Sequence, residues 1–188
     1  MTSEQKVSRE RILEGAETIL GSGRYSDLTV DALARSLRMS KSTLYKYFPS
    51  KEDVVVALVR DACDRAESDV ARALAAGTAS DQLTALADAM GRHGERLPRA
   101  VLVEWEKLPN PCGARLRQAR DTFSAGAATV VHRGVAGGEF RTPDPLMAAV
   151  AFVAAAEAVL LDGARRGLEG YGRRVSSLSG LILPGLRG

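Results

Sequence analysis

Apolar residues recur along this chain at intervals of one, three and four, the spacing of helix faces, and no segment carries the alternation of a strand. Ile12, Leu13, Ala16, Ile19 and Leu20 predict a first helix over 10–21, stopped by Gly21 and Gly23. Val30, Leu33, Ala34 and Leu37 share a face of a short second helix. Thr29 is placed to cap it, and Asp31 lies in its first turn, where negative charge suits the helix dipole. The third helix begins at Ser40, another capping residue, and ends at Pro49. It offers only Leu44 and Phe48 to an interior, leaving Lys41, Ser42, Thr43, Tyr45, Lys46 and Tyr47 to solvent or a ligand. Ser50 with Asp53 resembles a capping box, and Val54, Val55, Leu58, Val59 and Ala62 then mark a long fourth helix reaching about residue 76.

Beyond the break at 77–80, helices are predicted over 81–97, 99–108, 115–135, 145–168 and 171–183, punctuated by Pro98, Pro109, Pro111, Gly137, Gly138, Pro143, Gly170 and Pro184. Gly126, Gly134 and Gly163 fall inside these helices, where glycine is unfavourable. The longest apolar run, 146–161, is shorter than the roughly 20 residues of a membrane span and is interrupted by Glu157, which predicts a helix buried on more than one side. Its alanines, from Ala148 to Ala158, allow close helix approach. Together with Val175, Leu178, Leu181 and Ile182, the run presents wide apolar arcs that a monomer of this size struggles to cover, the alternative being that the last two helices close the monomer core.

Hydrophobic residues make up 45% of the 188 positions, enough for a substantial core and too many for a disordered chain. The formal charge is only +3, so basicity matters through its placement. From Arg35 to Lys51 the charged residues are Arg35, Arg38, Lys41, Lys46 and Lys51, with no acid among them. A polar N-terminus and two unframed cysteines suggest a cytoplasmic protein. Cys63 is expected to be buried on the fourth helix, and Cys112, between Pro111 and Gly113, to be exposed. His93 and His132 have no Cys or carboxylate at zinc-ligand spacing, so no metal is expected.

The segment TVDALARSLRMSKSTLYKYFPSKEDVVVAL resembles the DNA-binding domain of the TetR/AcrR-type bacterial transcriptional regulators. The resemblance joins LA in the second helix, SKSTLYKYF in the third and SKE at the fourth, over roughly the first third of the chain. It implies an all-α fold: a helix-turn-helix domain at 6–66, with its motif at about 29–48, joined by a long fourth helix to a helical effector-binding and dimerisation domain at 67–188. By the same resemblance, Ser40 opens the recognition helix, Lys41, Ser42 and Thr43 approach base edges or neighbouring phosphates, and Thr29, Tyr45, Lys46, Tyr47 and Lys51 hold the DNA backbone.

The chemistry of these side chains supports that assignment independently. Ammonium groups neutralise phosphates, hydroxyls hydrogen-bond phosphate oxygens, and the start of a helix presents N–H groups to an anion. Lys41 can donate to the guanine acceptors, and the Thr43 methyl can meet thymine. Tyr47 is preferred over Tyr45 as a DNA contact. One position departs from the family pattern: where Gly precedes an apolar residue in the turn, this chain has Arg38 before Met39. A left-handed Arg38 would carry about 1 kcal/mol of strain.

In the second region His93, Trp105, Phe123 and Phe152 are the effector-pocket candidates, although aromatic residues of this kind are more often plain core. The expected function is that of a DNA-binding transcriptional regulator, a ligand-responsive repressor that binds a palindromic double-stranded operator as a homodimer. By the same resemblance, a small-molecule effector bound by the C-terminal domain is expected to lower its DNA affinity. No cofactor and no membrane partner are expected. Two alternatives are a dimeric small-molecule-binding module without autonomous DNA recognition, suggested only by Arg38, and an enzyme with catalysis in the C-terminal region. Against the enzyme stands the lack of a phosphate loop, nucleophile elbow or metal-ligand cluster.

Overall fold

The computed structural model describes residues 3–187, with side chains from Arg9 onward, and among these residues all regular structure is helical. The elements are α1 (Ser3–Ser22), α2 (Val30–Leu37), α3 (Lys41–Tyr45), α4 (Lys51–Leu74), α5 (Ala79–Arg96), α6 (Arg99–Val103), α7 (Asn110–Ala136), α8 (Pro145–Arg166), α9 (Tyr171–Ser176) and α10 (Leu178–Arg187). Single 3-10 turns occupy Tyr25–Asp27 and Trp105–Lys107.

Two compact units emerge. The first takes the residues up to Ala62 together with Leu97–Leu116; the second takes Cys63–Arg96 and the residues from Arg117 on. In the first unit, Ile12, Ala16 and Leu20 of α1 are buried with Leu28, Leu33, Leu44, Phe48, Val55 and Leu58. The segment Leu97–Leu116 is fastened to this unit by Glu104, whose carboxylate accepts the Tyr25 N–H at 3.0 Å. That bond is the main reason Glu104 ionises below its ordinary value.

Local caps fix the helix starts. Thr29 Oγ1 accepts the Ala32 N–H at 3.0 Å, and Ser40 Oγ accepts that of Thr43 at 3.1 Å. Ser50 Oγ accepts the Asp53 N–H at 3.1 Å and donates to the Asp53 carboxylate at 2.6 Å. Arg38 is the sole non-glycine residue with positive φ among the described residues, at φ 54° and ψ 40°. Its N–H reaches the Arg35 carbonyl at 3.2 Å, and the Met39 N–H reaches that of Ala34 at 3.0 Å, the two bonds of a Schellman turn. The turn therefore keeps the geometry that glycine favours while an exposed arginine occupies it. Arg38→Gly is expected to raise the stability of the protein by about 0.5–1 kcal/mol, read from denaturant melts; an unchanged or lower midpoint would count against strain at this residue.

The second unit is built on one apolar cluster in which Val70, Leu83, Leu86, Phe123, Val130, Val131, Phe140, Phe152, Val153 and Leu160 are buried. Several close approaches in this unit require glycine. A Cβ on Gly91 of α5 would lie 2.4 Å from the Gly172 carbonyl oxygen of α9, and one on Gly134 would lie 2.2 Å from the Phe140 ring. Glycines that weaken isolated helices here let backbones and rings close up. The turn after α7 returns Glu139 to the start of α5, where its carboxylate accepts the N–H groups of Ala79 at 2.9 Å and Ser80 at 2.8 Å.

Hydrogen bonds from Ser80, its hydroxyl first, and from the Ala79 and Ser80 N–H groups lower the Glu139 pKa below its ordinary 4.5. A carboxyl with a depressed folded pKa stabilises above its unfolded pKa, and that contribution is lost as pH falls through the folded value. Glu139→Gln should therefore cost about 1 kcal/mol at neutral pH and flatten the loss of stability below pH 4.5; parallel acid melts of variant and wild type would rule this out.

Several element bounds differ from the sequence expectation. The predicted helix 99–108 is divided into α6 and a 3-10 turn, and 171–183 is divided into α9 and α10. Pro184 lies inside α10, where the carbonyl that loses its partner belongs to solvent-exposed Gly180. Pro111 opens α7 in its first turn and does not interrupt it. Cys112 is 1% exposed, contrary to the expectation drawn from its Pro and Gly neighbours, because it sits on the inner face of α7's first turn. Burial pushes its thiol up to about 11.

The helix α8 is longer than its apolar run, and among the described residues it is the one helix long and apolar enough to cross a membrane by length and composition. The expected burial on more than one side is corrected by the structure. Ala149, Phe152, Val153, Ala156, Leu160, Gly163 and Ala164 face the core, whereas Leu146, Met147, Val150, Ala151, Ala154 and Ala158 remain exposed.

Candidate nucleic-acid interface

Of the residues expected at DNA, Ser40, Lys41, Ser42, Thr43 and Tyr45 lie on the short helix and its cap just after the Schellman turn, whereas Thr29 caps α2 and Lys51 opens α4. Ser40 Oγ lies 2.9 Å from Ser42 Oγ and 2.8 Å from Thr43 Oγ1, so three hydroxyls cluster at the start of α3. Leu44 and Phe48 are buried beneath, which leaves the opposite face polar. The regular helix is shorter than expected: Lys46 and Tyr47 fall in a terminal turn whose N–H groups bond to Thr43 and Leu44 at 3.3 and 2.9 Å. Lys46 is exposed, Tyr45 is 51% exposed, and Tyr47 is half-buried in a cleft with Arg9, Asp53 and Arg60. The ring left more open to a partner is thus Tyr45, not the preferred Tyr47.

Lys51, at the first residue of α4, holds its ammonium 4.7 Å from the centre of the Tyr25 ring. Arg9 stacks its guanidinium 4.4 Å from the centre of the Phe48 ring. Lys41 pairs with Asp31, Nζ to Oδ1, at 2.5 Å. The Asp31 hydrogen bond, and then its charge, raise the Lys41 ammonium above its ordinary pKa. Arg9, Tyr25 and Asp31 were missed by sequence reasoning, because each acts across a turn or between helices and none stands at helical spacing from its partner.

Of the pocket candidates, His93 and Phe123 come together in the second unit, with ring centres 5.8 Å apart and planes tilted by 40°. Phe152 is in the core of the same unit at 1% exposure. Trp105 belongs to the first unit, 48% exposed on its 3-10 turn.

A short helix with a polar outer face, capped by Ser40 and held to a preceding helix by a tight turn, defines a helix-turn-helix protein of the DNA-binding class. Residues 12–58 match the family described as bacterial regulatory proteins, tetR family, and residues 76–160 match the tetracyclin repressor-like C-terminal domain. The chain belongs to the TetR family of bacterial transcriptional regulators.

Among its relatives is the HTH-type transcriptional repressor KstR of Mycolicibacterium smegmatis, 32% identical over 95 residues, which are 50% of this chain and 47% of that protein. The HTH-type transcriptional regulator EthR of the same organism is 39% identical over 57 residues, 30% of this chain and 26% of that one. The chain spans about half the length, or less, of the curated relatives it matches. The crystal structure of the TetR family regulator PfmR from Thermus thermophilus superposes with a TM-score of 0.79 at 24% identity, covering 95% of this chain and all of that one, a likeness of fold.

Proposed function

We propose that this protein is a ligand-responsive repressor that binds a palindromic operator as a homodimer, with α3 of each protomer entering a major groove. The observation that carries the reading is the exposed face of α3, where clustered hydroxyls stand beside Lys41 at a helix start with N–H groups to offer and Lys46 lies exposed at the helix's other end. Dimerisation is supported by the uncovered apolar residues of α8 and α10: Leu146 and Met147 at 60%, Val150 at 52% and Leu181 at 78% exposure. Glu157 in the middle of α8 is ion-paired with Arg120 at 2.6 Å, which favours a protein neighbour over a bilayer for that face. Two-fold symmetry sets the half-sites about one helical turn, or slightly more, apart.

Residues 6–66 and 67–188 are read as the DNA-binding and effector-binding regions respectively, with the effector seated near His93 and Phe123 and preferring the state that does not bind DNA. Such a protein acts where the DNA is, in the cytoplasm. Selection of duplexes from random DNA tests the reading: the wild-type protein should enrich an inverted repeat. Lys41→Ala should relax specificity at one position of each half-site. A uniform weakening with a shallower salt slope would make Lys41 a phosphate contact, and no enrichment at any salt would remove the DNA-binding reading.

A further inference from the structure

Lys41 is not presented as an isolated positive charge. Its ammonium donates to Asp31 Oδ1 at 2.5 Å, while the two side chains remain 56% and 58% exposed. Asp31 sits in the first turn of α2 and Lys41 opens α3, so the pair bridges the two arms of the helix-turn-helix. An exposed pair of this kind contributes little to stability. Its consequence lies at the surface that would meet a polyanion. Of the three ammonium N–H donors, one is held by the carboxylate and two are left, enough for the O6 and N7 acceptors of a guanine. Paired in this way, the ammonium also has much of its charge toward phosphates offset by the carboxylate.

We propose that Asp31 is a specificity-determining residue of the DNA interface. It positions the Lys41 ammonium for base edges and withholds it from phosphates, so it weakens binding to arbitrary DNA more than binding to the operator. This rests on the DNA-binding function proposed above.

The test uses the full chain and two duplexes, one selected by the wild-type protein from random DNA and one of random sequence, each titrated across a range of salt. Asp31→Asn should tighten the random duplex about fivefold, leave the selected duplex within about twofold, and steepen the salt dependence on the random duplex by about one phosphate contact. Asp31→Glu, which keeps the charge, should restore discrimination. In the Lys41→Ala background the Asp31→Asn change should have no effect. Asp31→Ser provides a second neutral variant should Asp31→Asn fold poorly by circular dichroism. If the neutral variants tighten both duplexes equally, or still do so without Lys41, Asp31 is only a distributed charge and the proposal is overturned; unchanged binding overturns it too. Should the wild-type protein enrich no sequence, the DNA-binding function itself fails, which is distinguishable from failure of the role assigned to Asp31.

Discussion

Asp69→Ala is expected to destabilise the second unit by about 2–3 kcal/mol, measured by denaturant unfolding. Asp69 is 1% exposed, yet it stands on the α4 stripe that also buries Ala66, Val70 and Ala73. Its carboxylate is held by Arg96 Nη1 at 2.5 Å, by the Arg72 guanidinium, and by Arg92 Nε at 3.8 Å. Arg92 and Arg96 are one helical turn apart on α5, so the cluster joins two helices through a charge that has lost its water. Removing one partner of a buried pair costs about 3–5 kcal/mol when the other is stranded. Here the side chains of Arg96, Arg92 and Arg72 are 28%, 48% and 71% exposed and can rehydrate, which brings the expected loss below that range. Arg72→Ala, at the most exposed of the three, should cost well under about 1 kcal/mol. An Asp69→Ala protein as stable as wild type would show that the cost of desolvating the carboxylate cancels what its arginines contribute.

Val150→Arg combined with Leu181→Arg is expected to convert the proposed dimer into a 20.0 kDa monomer, seen by light scattering. In an isologous interface each substituted residue is introduced twice, so the variant places like charges against a two-fold partner and leaves them desolvated. A stable interface of this kind removes about 1,200–2,000 Å² from water in total, and the exposed sides of α8 and α10 are the extended apolar surface of the second unit suited to it. Losing the second half-site contact should lower operator affinity by about 100-fold or more. A doubly substituted protein that remains dimeric would move the interface elsewhere.

The parts of the molecule legible in the sequence are those set by neighbours along the chain. Thr29, Ser40 and Ser50 could be recognised as caps because a cap acts within three residues. Leu33, Leu44 and Phe48 could be assigned to the core because helical spacing put them on faces with no charge. Arg38 could be singled out because a turn of that geometry has a strong preference for glycine. What escaped depends on partners distant in sequence. Asp31 was read only against the dipole of its own helix, and its hold on Lys41 crosses the turn. Cys112 was judged from Pro111 and Gly113, whereas its burial comes from the helices around it. Asp69 leaves a readable trace, an acid on an apolar stripe with two arginines spaced by four residues on the next helix.

The two cysteines offer each unit its own clock. Cys112 belongs to the first unit and Cys63 to the second, and both are closed off from solvent at 1% and 0% exposure. A thiol reagent added to the native protein reaches either sulfur only after the surrounding structure opens, so the rate at which each is labelled reports the free energy of opening at that place. With its thiol pushed up to about 11, Cys112 has little thiolate to react until its burial is relieved. Peptide mapping of the label would then time the two halves separately in one tube, with no probe engineered into the chain, and would tell whether a bound duplex or a small molecule tightens the half it touches or the other.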